Sequence, residues 1–337
     1  MIMTKKVFDF LSSFGMMLIG VCLLFIFSVS FYKTTDAHLP KSGERSWFGG
    51  DIENHVLPVS HPAVPLAKED KKDFYGNLTA ESALVVDDRT DTVLFEKNSE
   101  EIRPLASITK LMSALVLLDL PIKWNTTTVI TKDDDIGSSN AIKVGDKLTA
   151  IELWQVALVG SSNTAINALV RISGLSQEDF VQRMNAKAKS LRLNSLHFVE
   201  PTGLDSANRG NAKDIIRLLK VALQQDKIYS ALQTGEYYIR STNSIKSRRI
   251  WNTNWLLIGW IPSDFKTEQI VGKTGYIRDS GYNFVVRLEK KDKKAVRVLI
   301  LGAASNEARF IEARDLAEWA FTNYVWPSGD GYEKLVE

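Results

Sequence analysis

Leu105-Ala106-Ser107-Ile108-Thr109-Lys110-Leu111-Met112 is the stretch on which the reading of this chain turns. Leu105, Ile108, Leu111, Met112, Leu115 and Leu118 recur at helical spacing, and Pro104 suits a first helical turn. Three residues apart on such a helix, Ser107 and Lys110 share one face, a turn from each other. A serine hydroxyl is a poor nucleophile near neutral pH and needs a neighbour to take its proton. Lys110 can reach it. To act as a base it must lose its own charge, which calls for burial among these apolar side chains and for a second cation nearby. A nucleophile in the first turn also feels the positive end of the helix dipole. The plainer reading is an ordinary buried helix with a solvated lysine.

Two later stretches fit the same chemistry. Ser161-Ser162-Asn163 separates the apolar runs Leu153 to Gly160 and Ala165 to Val170, so it reads as a polar corner between two helices. There Ser161 can relay a proton between Lys110 and a leaving group, while Asn163 bonds the substrate backbone and Lys110. The alternative is a helix N-cap, which Ser and Asn supply routinely. Lys273-Thr274-Gly275 lies between Ile270-Val271-Gly272 and the alternating Tyr282, Phe284, Val286 and Leu288, at the lip of a core strand. Lys273 is the candidate second cation. Thr274 and Lys273 offer a hydroxyl and a positive charge to a carboxylate, and Gly275 allows close approach of a substrate backbone. Read alone, Lys-Thr-Gly is a polar strand end.

With the three stretches in this order, the chain resembles the penicillin-binding DD-peptidases, specifically the low-molecular-mass D-alanyl-D-alanine carboxypeptidase and endopeptidase family. The resemblance runs from about Ser82 to Tyr324. It includes Arg103-Pro104-Leu105-Ala106, Met184 to Ala188, Phe198-Val199-Glu200-Pro201-Thr202-Gly203-Leu204, Asn252 to Leu257 and Gly272 to Tyr276. It implies Ser107 as acyl-ester nucleophile, Lys110 as proton acceptor and Ser161 as proton shuttle, with Asn163, Lys273, Thr274, Gly275 and Tyr276 binding substrate. It further implies an oxyanion hole from the backbone N–H groups of Ser107 and Tyr276.

The implied activity is a serine-type D-alanyl-D-alanine carboxypeptidase on peptidoglycan stem peptides, with β-lactams as covalent inhibitors and no cofactor. The alternative is a DD-endopeptidase that cleaves peptidoglycan crosslinks. Gly302-Ala303-Ala304-Ser305 stands where many carboxypeptidases of the family continue into an arginine that holds the terminal carboxylate, and Arg309, a turn further on, is the cation that can replace it. The Phe-Val-Glu-Pro-Thr-Gly-Leu wording is closest to the endopeptidase branch. A β-lactamase needs fast hydrolysis of the penicilloyl ester, and no Glu-x-x-Leu-Asn-like segment occurs in the middle region. A non-catalytic β-lactam sensor fits poorly with an intact Lys110, Ser161 and Lys273.

At 337 residues, 45% hydrophobic and 24% charged, the chain can bury a sizeable core, and a net charge of +2 argues against a nucleic-acid partner. His38, His55 and His61 fall in one N-terminal stretch and His197 stands apart, so no metal site is expected. The single Cys22 excludes an intramolecular disulfide. Lys246, Arg248 and Arg249 read as a solvated basic face near the cleft in sequence.

Leu11 to Tyr32 is nearly all apolar or small and follows Lys5 and Lys6, which predicts a transmembrane anchor over residues 1–32 with the remainder exported. The alternative is a cleaved signal peptide, with Ser28-Val29-Ser30 as the cut site and a secreted or periplasmic product. Residues 33–75 lack periodicity and read as a linker, 76–326 as the catalytic domain and 327–337 as a tail; many relatives carry a β-rich domain and a C-terminal membrane helix there, so membrane attachment is expected from the N-terminus. Ala83 to Asp87 and Thr92 to Glu96 predict a hairpin. A helical block follows from Leu105 to about Leu223, strands return at Val271, Asn283 to Leu288 and Val296 to Leu301, and Asn306 to Tyr324 closes as a helix. The fold class is α/β of the α+β type, with a β-lactamase/transpeptidase-like layout: a mostly antiparallel sheet with flanking helices and a helical subdomain.

Overall fold

The computed structural model describes residues 63–137, 142–243, 247–265, 267–327, 329 and 331–336. The expected anchor over residues 1–32 lies outside the described residues, as does residue 33 to residue 62 of the expected linker. Among the described residues no helix is long and apolar enough to cross a membrane.

Strands β1 (Ser82–Asp87) and β2 (Val93–Lys97) form the predicted hairpin. Its turn is fixed by Asp87, whose Oδ2 accepts from Thr90 N (2.8 Å) and Thr90 Oγ1 (2.6 Å). The helical block contains α1 (Lys110–Leu118), α2 (Ala150–Val159), α3 (Asn163–Ile172), α4 (Gln177–Ser190), α5 (Ala212–Leu223) and α6 (Asp226–Gln233). A second hairpin follows, β3 (Glu236–Ile239) with β4 (Arg248–Trp251), which the sequence reading did not anticipate. Then come β5 (Val271–Ile277), β6 (Gly281–Glu289), β7 (Ala295–Ala303) and helix α7 (Ala308–Asn323). The main sheet has the order β5-β6-β7-β1-β2, antiparallel throughout. Both ends of the domain thus supply sheet and the middle supplies helices.

The period-two alternation of the strands sorts their side chains into two cores. Leu84 and Val86 of β1, Val285 of β6 and Leu299 and Leu301 of β7 face the helical block, where Ile108, Leu111, Leu115, Leu153, Ala157 and Leu169 complete one core. Ala83 and Val85, Phe284 and Val286, and Val298 and Ile300 face the other way onto Phe310, Ala313, Leu316 and Ala317 of α7. The strand β5 is an edge. Its outer side abuts the turn that carries Ser107.

The packed unit starts ahead of residue 76, the boundary read from sequence. Leu66–Ala67 pairs with Tyr324–Val325. Lys72 N donates to Asn323 Oδ1 (2.8 Å), and Phe74 sits edge-on against Phe95 and Trp319, with ring centroids 5.9 and 6.4 Å away. This segment is ordered by contacts with residues about 250 positions away, which leave no local periodicity to read. In the tail, Tyr332–Val336 is a short helix and Tyr332 OH donates to Val64 O (2.8 Å).

Candidate active site

Ser107 stands in a 3₁₀ turn, Ala106–Thr109, that runs directly into α1. The turn is held from several sides. Leu105 N donates to Asn208 O (2.8 Å), and the buried amide of Asn283 on β6 donates to Pro104 O (2.9 Å) and Leu105 O (3.3 Å). Ala106 adopts φ 49°, a left-handed conformation that costs a non-glycine residue energy and persists only when its surroundings fix it. Gly203, at φ 90°, packs on the peptide before Ser107, and a Cβ there would collide with the Ala106 carbonyl. On the opposite side a Cβ on Gly275 would lie 2.8 Å from Leu105 O and 3.1 Å from Ser107 N. The space in front of Gly275 that the sequence reading gave to substrate backbone is therefore filled, on its Cβ side, by the chain's own nucleophile turn.

Lys110 is fully buried, and its Nζ donates to Ser107 Oγ (2.8 Å), Asn163 Oδ1 (2.6 Å) and Thr202 O (2.7 Å). Three acceptors satisfy an ammonium. A neutral amine keeps two of these bonds and turns its lone pair toward the Ser107 hydroxyl. Burial lowers the Lys110 pKa to about 7, and the Glu200 carboxylate opposes that fall. The expected second cation is not what lowers it. Lys273 is itself buried, and burial, with Lys110 and Arg309 nearby, holds its pKa well below the ordinary lysine value.

Glu200 also shapes the loop over Lys110. It accepts from Thr202 N (2.7 Å), Thr202 Oγ1 (2.6 Å), Gly203 N and Asn208 Nδ2 (2.7 Å), which turns the Thr202 carbonyl toward Nζ. Glu200, Asn208 and Asn283 are the site residues that sequence reasoning did not single out. Their signal was slight: Glu200 appeared only within a quoted motif, and Asn283 as one polar residue in a core strand.

The corner between α2 and α3 divides its labour among three residues. Ser162 is the N-cap of α3, its Oγ accepting from Ala165 N (3.2 Å), which leaves Ser161 and Asn163 free for the site. Ser161, at φ 59°, accepts from Lys273 Nζ (2.7 Å), which also donates to Thr274 O (2.9 Å). Thr274 Oγ1 donates to Thr253 Oγ1 (2.6 Å), and the half-exposed Tyr276 ring stacks on Tyr282 with centroids 4.3 Å apart. Two hydrogen-bonded sets, Ser107–Lys110–Asn163 and Ser161–Lys273–Thr274, thus meet at the α2–α3 corner, which supplies Ser161 to one and Asn163 to the other. Arg309 is in neither. It is buried behind the strand, where Nη1 donates to Gly275 O (3.0 Å) and Asn283 O (3.2 Å), Nη2 bonds Asn306 Oδ1, and burial lowers its pKa to about 10. It clamps β5 to β6 and offers no charge to a substrate carboxylate, contrary to the replacement expected from sequence.

A hydroxyl at a helix start, joined to a buried amine and bordered by a second serine–lysine pair on a sheet edge, is the arrangement of a serine acyl-transfer enzyme. The comparisons agree with that class. The chain belongs to the D-alanyl-D-alanine carboxypeptidase family of serine peptidases, whose profile matches residues 67–305. It is similar to the D-alanyl-D-alanine endopeptidase of Pseudomonas aeruginosa, 31% identical over 272 residues that span 80% of this chain and 83% of that protein. The D-alanyl-D-alanine endopeptidase of Haemophilus influenzae is 33% identical over 234 residues, 68% of this chain and 78% of that one. The carboxypeptidase DacF of Bacillus subtilis is 29% identical over 252 residues, 73% of this chain and 63% of that one. The fold matches the solved D-alanyl-D-alanine carboxypeptidase of Mycobacterium tuberculosis with TM-score 0.67 and 24% identity, over 78% of this chain and 98% of that chain.

Proposed function

We propose that this chain is a serine-type D-alanyl-D-alanine carboxypeptidase of peptidoglycan stem peptides that works through an acyl-enzyme on Ser107. The observation that carries the reading is the contact of the buried Lys110 amine, pKa about 7, with Ser107 Oγ at 2.8 Å. Neutral Lys110 takes the hydroxyl proton as Ser107 Oγ bonds the carbonyl carbon of the penultimate D-alanine. The C–N bond then breaks, and the proton reaches the leaving amine by way of Ser161. Asn163 and the edge strand Lys273 to Tyr276 hold the peptide, and the N–H groups of Ser107 and Tyr276 receive the developing oxyanion. β-Lactams enter the same site and acylate Ser107.

A second reading, cleavage of crosslinks as a DD-endopeptidase, is favoured by one feature. Arg309 is committed to the Gly275 and Asn283 carbonyls, so it supplies no cation for a free C-terminal carboxylate. The endopeptidase names of the relatives at 31% and 33% identity support the same reading. Incubation with purified uncrosslinked and crosslinked muropeptides, with products identified by mass, decides between them: release of terminal D-alanine is expected, and loss of dimers without it makes the enzyme an endopeptidase. We further propose that residues 11–32 anchor the chain in a membrane with the catalytic unit outside the cytoplasm. Sedimentation with membranes and an intact Met1 are expected, and a mature chain that starts near Phe31 refutes the anchor.

A further inference from the structure

Beside the cleft lies a surface that the chemistry above leaves unused. In the β3–β4 hairpin Tyr238 pairs with Arg249 and Glu236 with Trp251, so these four side chains share the outer face. Tyr238 is 44%, Trp251 42% and Trp260 54% exposed. Trp260 lies 6.2 Å from Trp251 and 5.4 Å from Trp255, ring centroid to centroid, and the Arg249 guanidinium sits 3.8 Å over the Trp251 ring. Large exposed aromatic rings are costly in water unless they serve contact with something else.

The hairpin is fastened to the catalytic corner. The Ile250 side chain packs on Gly160, next to Ser161, and Thr253 N donates to Val159 O (3.2 Å). Thr253 also accepts the 2.6 Å bond from Thr274. Trp251 is two residues from Thr253, hence within roughly 7 Å of a residue that touches the substrate strand.

We propose that Tyr238, Trp251 and Trp260, with Arg249, form a binding strip for the N-acetylated amino-sugar strand from which the stem peptide hangs. This rests on the DD-peptidase reading above. A hexopyranose presents an apolar C–H face that lies flat on an aromatic ring and a rim of hydroxyl and acetamido groups that accept from Arg249. A stem of about four residues spans at most ~14 Å, so the sugars of a bound substrate must lie beside the cleft. Among the described residues of the hairpin and the following loop, the exposed large apolar side chains are all aromatic, whereas a protein partner would pack against leucine, isoleucine or valine. The two arginines of β4 are each paired, Arg249 with Glu236 and Arg248 with Asp146, so neither offers an unpaired charge to an anionic lipid surface.

The test uses the full chain. Titration with the N-acetylglucosamine hexamer should change the tryptophan emission saturably, and phosphatidylglycerol vesicles should not. KM is then compared for a stem pentapeptide linked to a disaccharide repeat and for the same peptide free of sugar. Trp251→Ala with Trp260→Ala should raise the ratio of the sugar-linked KM to the free-peptide KM about thirtyfold, since each aromatic contact contributes on the order of 1 kcal/mol; Trp260→Phe should keep most of the preference. Equal effects on both substrates, an emission that ignores the hexamer, or one that answers only to vesicles would overturn the proposal. Should the double variant not fold, Trp260→Ala alone carries the comparison. If the unaltered chain cleaves neither peptide and takes up no benzylpenicillin, the DD-peptidase reading fails, while the emission titration still tests the strip.

Discussion

Lys110 carries the heaviest electrostatic load of any residue in this site. Its neutral form is the base, so acylation by benzylpenicillin should rise with pH through about 7 and flatten above it, falling about tenfold per unit on the acid side. Glu200 favours the charged amine. Glu200→Gln therefore lowers the Lys110 pKa further and moves the acid limb to lower pH, while the plateau drops because the Thr202 carbonyl loses its support; a stopped-flow pH profile reads both, and an unmoved limb would remove Glu200 from the tuning. The stability sign follows from the same shift. Between about 7 and 10.5 the unfolded chain holds a proton that folded Lys110 has released, so this residue's penalty on stability lessens as pH rises through that window. Lys110→Arg should abolish acylation in a protein that still melts cooperatively, because a guanidinium does not deprotonate in this range. Labelling of such a folded variant would refute Lys110 as base. The Ser107–Lys110 pair was legible because three residues on one helix face fix their meeting. Of the two causes the sequence offered for a lowered lysine pKa, burial among the apolar side chains is the one at work, and the second cation is not.

Elements position the nucleophile more than any one side chain does. The Ser107 turn is wedged between two glycine backbones, Gly203 from the loop before α5 and Gly275 from β5, and is tied to β6 by Asn283. Gly203→Ala meets both a left-handed φ and the Ala106 carbonyl, so a loss of about 2–4 kcal/mol and a displaced turn are expected. Asn283→Ala removes the amide that binds Pro104 O, Leu105 O and the Gly302 N–H, leaving Leu105 O only its bond from Ile108 N, and should cost about 2–3 kcal/mol, with acylation slowed in proportion to the shift of Ser107. Urea unfolding and acylation rates measured together check both; a stable Asn283→Ala protein with ordinary acylation would show that the turn holds itself. Helices and core strands could be read from periodicity, yet the β3–β4 hairpin could not. Its outward positions include Tyr238 and Trp251 while Tyr237, Ile239 and Ile250 face in, so both faces are apolar and no alternation shows, and eight residues without a recognisable two-residue turn separate the strands. The corner at Ser161 was legible as polar, but which serine caps the helix depends on the left-handed turn at Ser161 that aims the first hydroxyl away.

At the scale of the molecule, the catalytic parts come from both the helical block and the sheet. Ser107 and Lys110 rise from the helical side and Lys273 to Tyr276 from the sheet edge, so the geometry of the site depends on how the helical block seats against that edge. The packed unit reaches further back in the sequence than the motifs do. Leu66–Ala67 pairs with the strand after α7, and Phe74 joins Phe95 and Trp319 in one aromatic cluster that seats α7 on β2. A fragment that starts at residue 63 retains these contacts, and one that starts at residue 76 loses them. Loss of the two-residue strand pairing and of a partly buried phenylalanine should cost about 2–4 kcal/mol, which for a domain of this size lowers Tm by roughly 5–15 °C. Near room temperature both fragments should still be acylated at Ser107, because the lost contacts lie at the end of the sheet away from β5. Matched melting curves of the two fragments, with benzylpenicillin labelling at 25 °C, measure this. Identical melting temperatures would show that residues 63–75 lie on the domain without stabilising it, and the linker read from the sequence would then extend to residue 75 in energetic terms.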